Sequence, residues 1–279
     1  MEIVEGYFLK YKGGIWAVKG CYHPNGWVVA MPRVIGGRKL KTIKESIEAA
    51  KQITVVRYIE EIGREVPLVP LKYAEILDPF RWKPGDSEIC RKTNRMLDYL
   101  PGAGVTGSLL YDGDGKDIDL LTFNPRHYSI LKEMRQNGIT EPLDKVEFED
   151  VEVLGIEDMR TLKARRLLEG KFQKVPYTFK IVNCEEWEPV TNKKNFSGTV
   201  KLVSGNGISL PVKYSGELED GTNVKLTSFR IRFTELPKGT ILQVKGYLLE
   251  RNFLDLNLDL AEEIRIVKLP ETTIERDDS

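Results

Sequence analysis

Two carboxylates and a glycine–serine pair carry the chemistry this chain offers. Residues 101–123 read Pro-Gly-Ala-Gly-Val-Thr-Gly-Ser-Leu-Leu-Tyr-Asp-Gly-Asp-Gly-Lys-Asp-Ile-Asp-Leu-Leu-Thr-Phe. If residues 117–123 form a strand, Asp117 and Asp119 leave it on the same face, because strand side chains alternate with period two. Two carboxylates so placed, beside a Gly107-Ser108 turn, could hold a divalent metal against a triphosphate.

Rival chemistries fit fragments of this stretch. Gly102 to Gly107 matches G-x-G-x-x-G, but a dinucleotide loop needs a strand before it and a long helix after it. Here a helical pattern and Pro101 precede it, and only Ser108 to Tyr111 separate it from a loop. Asp112 opens a run like a calcium loop. However, its fifth position is Lys116, its sixth is Asp117 where glycine is required, and its twelfth is Phe123 in place of glutamate. A plain hairpin explains Asp112 to Gly115 as an Asp-Gly turn. It stays open as an alternative, although it leaves Asp117 and Asp119 repelling each other on one face.

The elements that must position these residues follow from pattern. Residues 1–35 alternate and are rich in aromatic and β-branched types, with Gly13-Gly14 and Pro24-Asn25-Gly26 as turns, which predicts two or three short strands. Trp16 and Trp27 could stack on bases, although packing within these strands is the reading preferred here. Apolar spacing predicts a helix over Thr42–Gln52, inside a basic segment, 33–57, that is either a solvated face or a phosphate contact. Four prolines over 66–85 mark a connector. Asp86-Ser87 caps a helix through Leu100. Helices are predicted over His127–Gln136 and Glu157–Glu169, and strands over 144–154 and Tyr177–Val182. A second basic concentration covers 160–180. From about Phe196 the pattern is all β, with strands at 199–202, 208–214, 224–233, 241–249 and 264–267. Turns at Gly205-Asn206-Gly207, Asp220-Gly221 and Pro237-Lys238-Gly239 complete a small OB-like barrel.

At 279 residues the chain has room for two or three modules. Lys+Arg and Asp+Glu are both 42, so only local clustering can argue for a nucleic-acid partner. Cys21, Cys90 and Cys184 lie far apart without C-x-x-C spacing, which argues against structural zinc and a disulfide framework and fits a reducing cytoplasm. Cys184 reads as inert. With two distant histidines, His23 and His127, a histidine-dependent triad has little support. No apolar run is long enough for a membrane span.

Gly107-Ser108 followed by Asp117-Ile118-Asp119 resembles the signature of the DNA polymerase β-like nucleotidyltransferase superfamily, hG[GS] before Dh[DE]h. Val105-Thr106, Ile118 and Leu120 match its flanking positions. The wider chain is similar to an archaeal family of predicted nucleotidyltransferases. Its likeness extends from Glu5-Gly6-Tyr7-Phe8 and Lys19 to Pro24 through Leu226 to Arg230 and Val244-Lys245-Gly246. The residue pattern and the resemblance together give the expectation of an α+β protein with four parts. These are a β-rich module with a basic helix over 1–65, a nucleotidyltransferase-like mixed sheet with helices over 66–190, the OB-like barrel over 191–270, and a frayed tail over 271–279. The resemblance implies that Asp117 and Asp119 are catalytic and ligate Mg²⁺ or Mn²⁺. Gly107, Ser108 and Lys116 would contact a nucleoside triphosphate substrate, whose leaving group lysines and arginines from 160–180 could neutralise. RNA is a candidate partner through segments 33–57 and 160–180.

The chain departs from the superfamily at the third acid, placed there on a later strand. Its counterpart, Tyr177 to Asn183, contains no carboxylate. Glu185 and Glu186 lie just beyond, and Glu147, Glu149 or Glu152 precede it. Two readings follow: an active transferase, or a degenerate platform that binds RNA or a protein.

Overall fold

A computed structural model describes residues 2–271 apart from 41, 144–145, 147–152, 187 and 205–206. Three sheets organise the chain. The first is built from β1 (Phe8–Tyr11), β2 (Gly14–Val18), β3 (Trp27–Ile35), β4 (Arg38–Lys39), β5 (Val55–Ile59), β6 (Arg64–Pro70) and β7 (Glu75–Leu77). Its order is β5-β6-β3-β2-β1-β7, with β4 hairpinned onto β3. The alternation of the first 35 residues buries Leu9, Trp16 and Val18, and the Trp16 indole nitrogen donates to the Tyr11 carbonyl at 3.2 Å. Helix α1 (Ile43–Ile53) starts where the pattern predicts, because Thr42 and Glu45 cap one another's backbone amides.

The connector predicted over 66–85 is a correction. Strand β6 runs through Pro67 and Pro70, and β7 follows, so the first sheet continues to Leu77 and a boundary at 65 falls inside β6. Proline forbids a helix interior but removes only one donor from a strand. Burial of Val66, Leu68 and Val69 holds this strand in place.

The central unit comprises α2 (Glu88–Tyr99), β8 (Gly104–Val105), α3 (Gly107–Asp112), β9 (Ile118–Thr122), α4 (His127–Gln136), β10 (Thr140–Glu141), α5 (Ile156–Arg165), β11 (Glu169–Phe172) and β12 (Val175–Ile181). The sheet order is β10-β11-β12-β9-β8, with β9 and β12 parallel. Ser87 caps α2 by accepting from the Cys90 amide at 3.3 Å. Helix α5 ends short of the predicted Glu169, because Arg166 turns extended, is fully buried and pairs with Glu169 in β11 at 2.5 Å. The strand predicted over 144–154 lies largely outside the described residues.

The third unit contains β13 (Asn192–Leu202), β14 (Val212–Leu218), β15 (Asn223–Ser228), β16 (Ile241–Glu250), β17 (Leu254–Asn257) and β18 (Glu263–Lys268). Strands β13-β14-β15-β17-β16 form a closed five-stranded barrel, because β16 also pairs with β13. The pair β15–β17 is parallel and its neighbours antiparallel. The fifth barrel strand is β17, which the pattern misses, while the predicted 264–267 strand joins outside as β18. Asp255 hid β17, since an acid argues against a buried strand. In the fold Asp255 is fully buried and accepts from Thr227 Oγ1 at 2.7 Å and Arg251 Nε at 3.1 Å. The predicted turn at 205–207 falls largely outside the described residues, as does most of the predicted tail.

The cysteines bring a second correction. Cys21 and Cys184, 163 residues apart, form a disulfide with their Cα atoms 5.7 Å apart. It ties the β2–β3 connection to the chain leaving β12, a proximity that sequence spacing does not encode. No helix among the described residues is long and apolar enough to cross a membrane.

Candidate active site

The glycine–serine turn is shaped by the aspartate it meets. After β8, the Thr106 amide donates to the Asp119 carbonyl at 2.9 Å, and its hydroxyl donates to the Gly6 carbonyl. Gly107 follows with φ +65°, a conformation that favours glycine. A Cβ there would lie 2.0 Å from Asp119 Oδ2. Both backbone conformation and contact therefore demand glycine. The loop after α3 folds back on Ser108, so that a Cβ on Gly115 would meet Ser108 Oγ at 2.5 Å.

Asp117, immediately before β9, is exposed, while Asp119, within it, is half-buried. Both line a cavity of about 420 Å³ between the first and central sheets. Burial, and then the neighbouring Asp117 charge, push the Asp119 carboxyl up to about 6, against the pull of Lys180 and Arg33. Burial also raises Asp117, opposed by its own backbone amide and by Lys39.

Cations line the same cavity. Arg33 and Lys39 come from the β3–β4 hairpin, Lys19 follows β2, and Lys180 lies on β12. Lys19 and Lys180 are bound to Glu5, at 3.3 and 3.4 Å, and the Gly20 amide donates to the same carboxylate at 2.9 Å. Burial pushes Glu5 up, but the two lysines and the amide outweigh it and hold the group below the usual carboxylate range. The Glu5 charge pulls Lys19 up, while burial with Lys180 and Arg33 outweighs that pull and lowers it. Arg33 and Lys39 make no ion pair among the described residues.

Of the residues singled out by sequence, Gly107, Ser108, Asp117 and Asp119 meet in this cavity. Lys116 is exposed and does not line it. On β12, Thr178 stands beside Asp119 in register where an acid was sought, and Lys180 follows two residues on. Glu185 pairs with Lys213, and Glu186 is exposed. Glu147, Glu149 and Glu152 lie outside the described residues. The third carboxylate of the cavity is Glu5, which no local signal marks. Among the described residues no three His, Cys, Asp or Glu side chains converge as metal ligands.

The basic segments divide. Segment 33–57 contributes Arg33 and Lys39, on either side of the Gly36-Gly37 turn, to the cavity. Segment 160–180 disperses: Arg160 pairs with Glu157 on the surface, Arg166 is buried, and Lys180 reaches the cavity. Neither histidine lines the cavity. His127 lies buried between Thr122 Oγ1 at 2.9 Å and the Pro101 carbonyl at 3.2 Å, and His23 Nδ1 accepts from the Val29 amide.

No protein-family model, curated protein or solved structure matches this chain significantly.

The donor set fits a hard divalent cation. Mg²⁺ takes oxygen ligands and is commonly held by one or two carboxylates, with water and substrate phosphates completing its shell. A cation at Asp117 and Asp119 would remove their mutual repulsion.

Proposed function

We propose that the protein is a metal-dependent nucleotidyltransferase, which moves a nucleoside monophosphate from a nucleoside triphosphate to an acceptor hydroxyl. The observation that carries this reading is the charge arrangement of the cavity. Among the described residues, two carboxylates with no cation in ion-pair contact share the cavity with two cations that have no anion in such contact, Arg33 and Lys39. Metal and polyphosphate together satisfy both.

In this reading Asp117 and Asp119 hold Mg²⁺ or Mn²⁺, which when bound neutralises phosphate charge and lowers the pKa of an attacking hydroxyl. Gly107 keeps the turn close to Asp119, and Ser108 offers a hydroxyl to the phosphates. The acceptor oxygen bonds to the α-phosphorus, the α–β bridging P–O bond breaks, pyrophosphate leaves, and the acceptor proton passes to solvent. Arg33 and Lys39 are the cations available to the leaving group. Glu5 holds Lys180 in place on the cavity wall. We read the barrel as OB-like from its 1-2-3-5-4 order and its parallel third–fifth pair.

One observation favours a second reading, a platform that binds without turnover: Glu5 is engaged by Lys19 and Lys180, and among the described residues no third acid converges with Asp117 and Asp119 as a metal ligand. Calorimetry with ATP, CTP, GTP and UTP, with and without Mg²⁺, tests the site on wild type and Asp117→Asn/Asp119→Asn. Binding that ignores both metal and the double substitution sinks the metal-site reading. Pyrophosphate release then separates a transferase from a platform.

A further inference from the structure

Next to the cavity, beyond the end of β9, two phenylalanines lie open to solvent. Phe80 sits in the short 3-10 turn Pro79–Arg81, and Phe123 directly follows β9. They are 39% and 48% exposed, and their rings stack with centroids 5.4 Å apart and planes inclined by 26°. The Tyr7 ring tilts against Phe80 at 6.5 Å, and Tyr7 also lines the cavity, so the stack and the cavity share a wall. Asp119 and Phe123 have the same parity along the chain, and four residues of extended chain span about 13 Å.

The charges around the rings are one-sided. Within three residues of either ring the exposed charged groups are Arg81, Lys83 and Arg126. Asp78, the acid in that range, is only 12% exposed and is committed to the turn, accepting from the Phe80 amide at 2.9 Å and pairing with Arg81 at 3.5 Å. Glu2, near the Tyr7 phenol, is an exposed acid on that side. Flat aromatic faces bordered by cations suit a flexible anionic chain with aromatic bases. Successive bases stack on such rings while basic groups follow the phosphates.

We propose that Phe80 and Phe123 form a stacking platform for unpaired bases of a single-stranded nucleic acid, the acceptor of the transfer. The word acceptor rests on the transferase reading; the binding itself does not. A duplex hides its base faces, so the platform discriminates against it.

Fluorescence anisotropy on the whole chain tests this, using labelled single-stranded RNA and DNA of about 12 nucleotides, alone or annealed to a complement. Wild type binds a single strand more tightly than the duplex. Phe80→Ala/Phe123→Ala weakens that binding at least about tenfold, and Phe80→Tyr/Phe123→Tyr restores it to within about threefold. Both alanine changes are at exposed positions, and Mg²⁺-dependent nucleotide binding, measured by calorimetry on the same samples, stays unchanged. Equal strand binding by wild type and the alanine variant overturns the platform, as does preference for the duplex or absence of binding. Strand binding without any metal-dependent nucleotide binding leaves the platform standing and removes the transferase reading.

Discussion

Acids in the cavity and acids at the barrel are treated in opposite ways. Glu235, at the join between barrel and central unit, is half-buried and accepts from the Leu167 and Leu168 amides at 2.9 and 3.1 Å and from the Tyr128 hydroxyl at 2.8 Å. Asp255 inside the barrel has Arg251 and Thr227. Burial raises both carboxyls, yet each finds donors within the protein. Asp119 is desolvated as well and stands beside a second carboxylate, but among the described residues no donor bonds its side chain, and Lys180 and Arg33 act only from a distance. Buried polar groups are normally satisfied. The satisfied acids hold modules together, whereas Asp119, beside the exposed Asp117, keeps its capacity for a ligand, the arrangement expected at a functional site.

Replacing each kind of acid separates the two roles. The largest effect belongs to Asp117→Asn/Asp119→Asn, which is expected to lower nucleotide transfer at least about 10³-fold, read as pyrophosphate release, without loss of thermal stability. Asp255→Ala does the reverse. It removes the carboxylate that pairs with buried Arg251 and costs about 3–5 kcal/mol in urea unfolding, with nucleotide binding retained below the transition. Reduction of Cys21–Cys184, or Cys21→Ser/Cys184→Ser, is expected to cost about 2–4 kcal/mol by the same measurement.

The smallest effect is one of pH. The folded pKa of Asp119 lies above its ordinary 3.8, at about 6, so folding takes up a proton between those values. The associated stability is fully present below about pH 4 and is lost as pH rises through about 6. Asp119→Asn is therefore expected to be more stable than wild type by about 1–2 kcal/mol at pH 7, a gain that vanishes below pH 4. Equal pH profiles for the two proteins would show that Asp119 is no more strained than the barrel acids. Mg²⁺ affinity in wild type should rise across the same window, since the metal displaces that proton.

Local order was legible wherever neighbours along the chain decide it. The alternation of the first 35 residues, the capped helices α1 and α2, helix α4, and the motif Gly107-Ser108 with Asp117 and Asp119 all depend on contacts a few residues apart. The motif was readable because a tight turn before a strand sets its own geometry, and the clash awaiting any Cβ at Gly107 explains that residue. The tertiary structure decided the rest. It brought Glu5, Lys19, Arg33, Lys39 and Lys180 to the same cavity from four separate segments, paired Cys21 with Cys184, and hid an acid in β17 by placing Thr227 of β15 beside it. Such pairings depend on which sheets pack together. A lone charge in a sequence carries no mark of the partner that packing will give it or withhold.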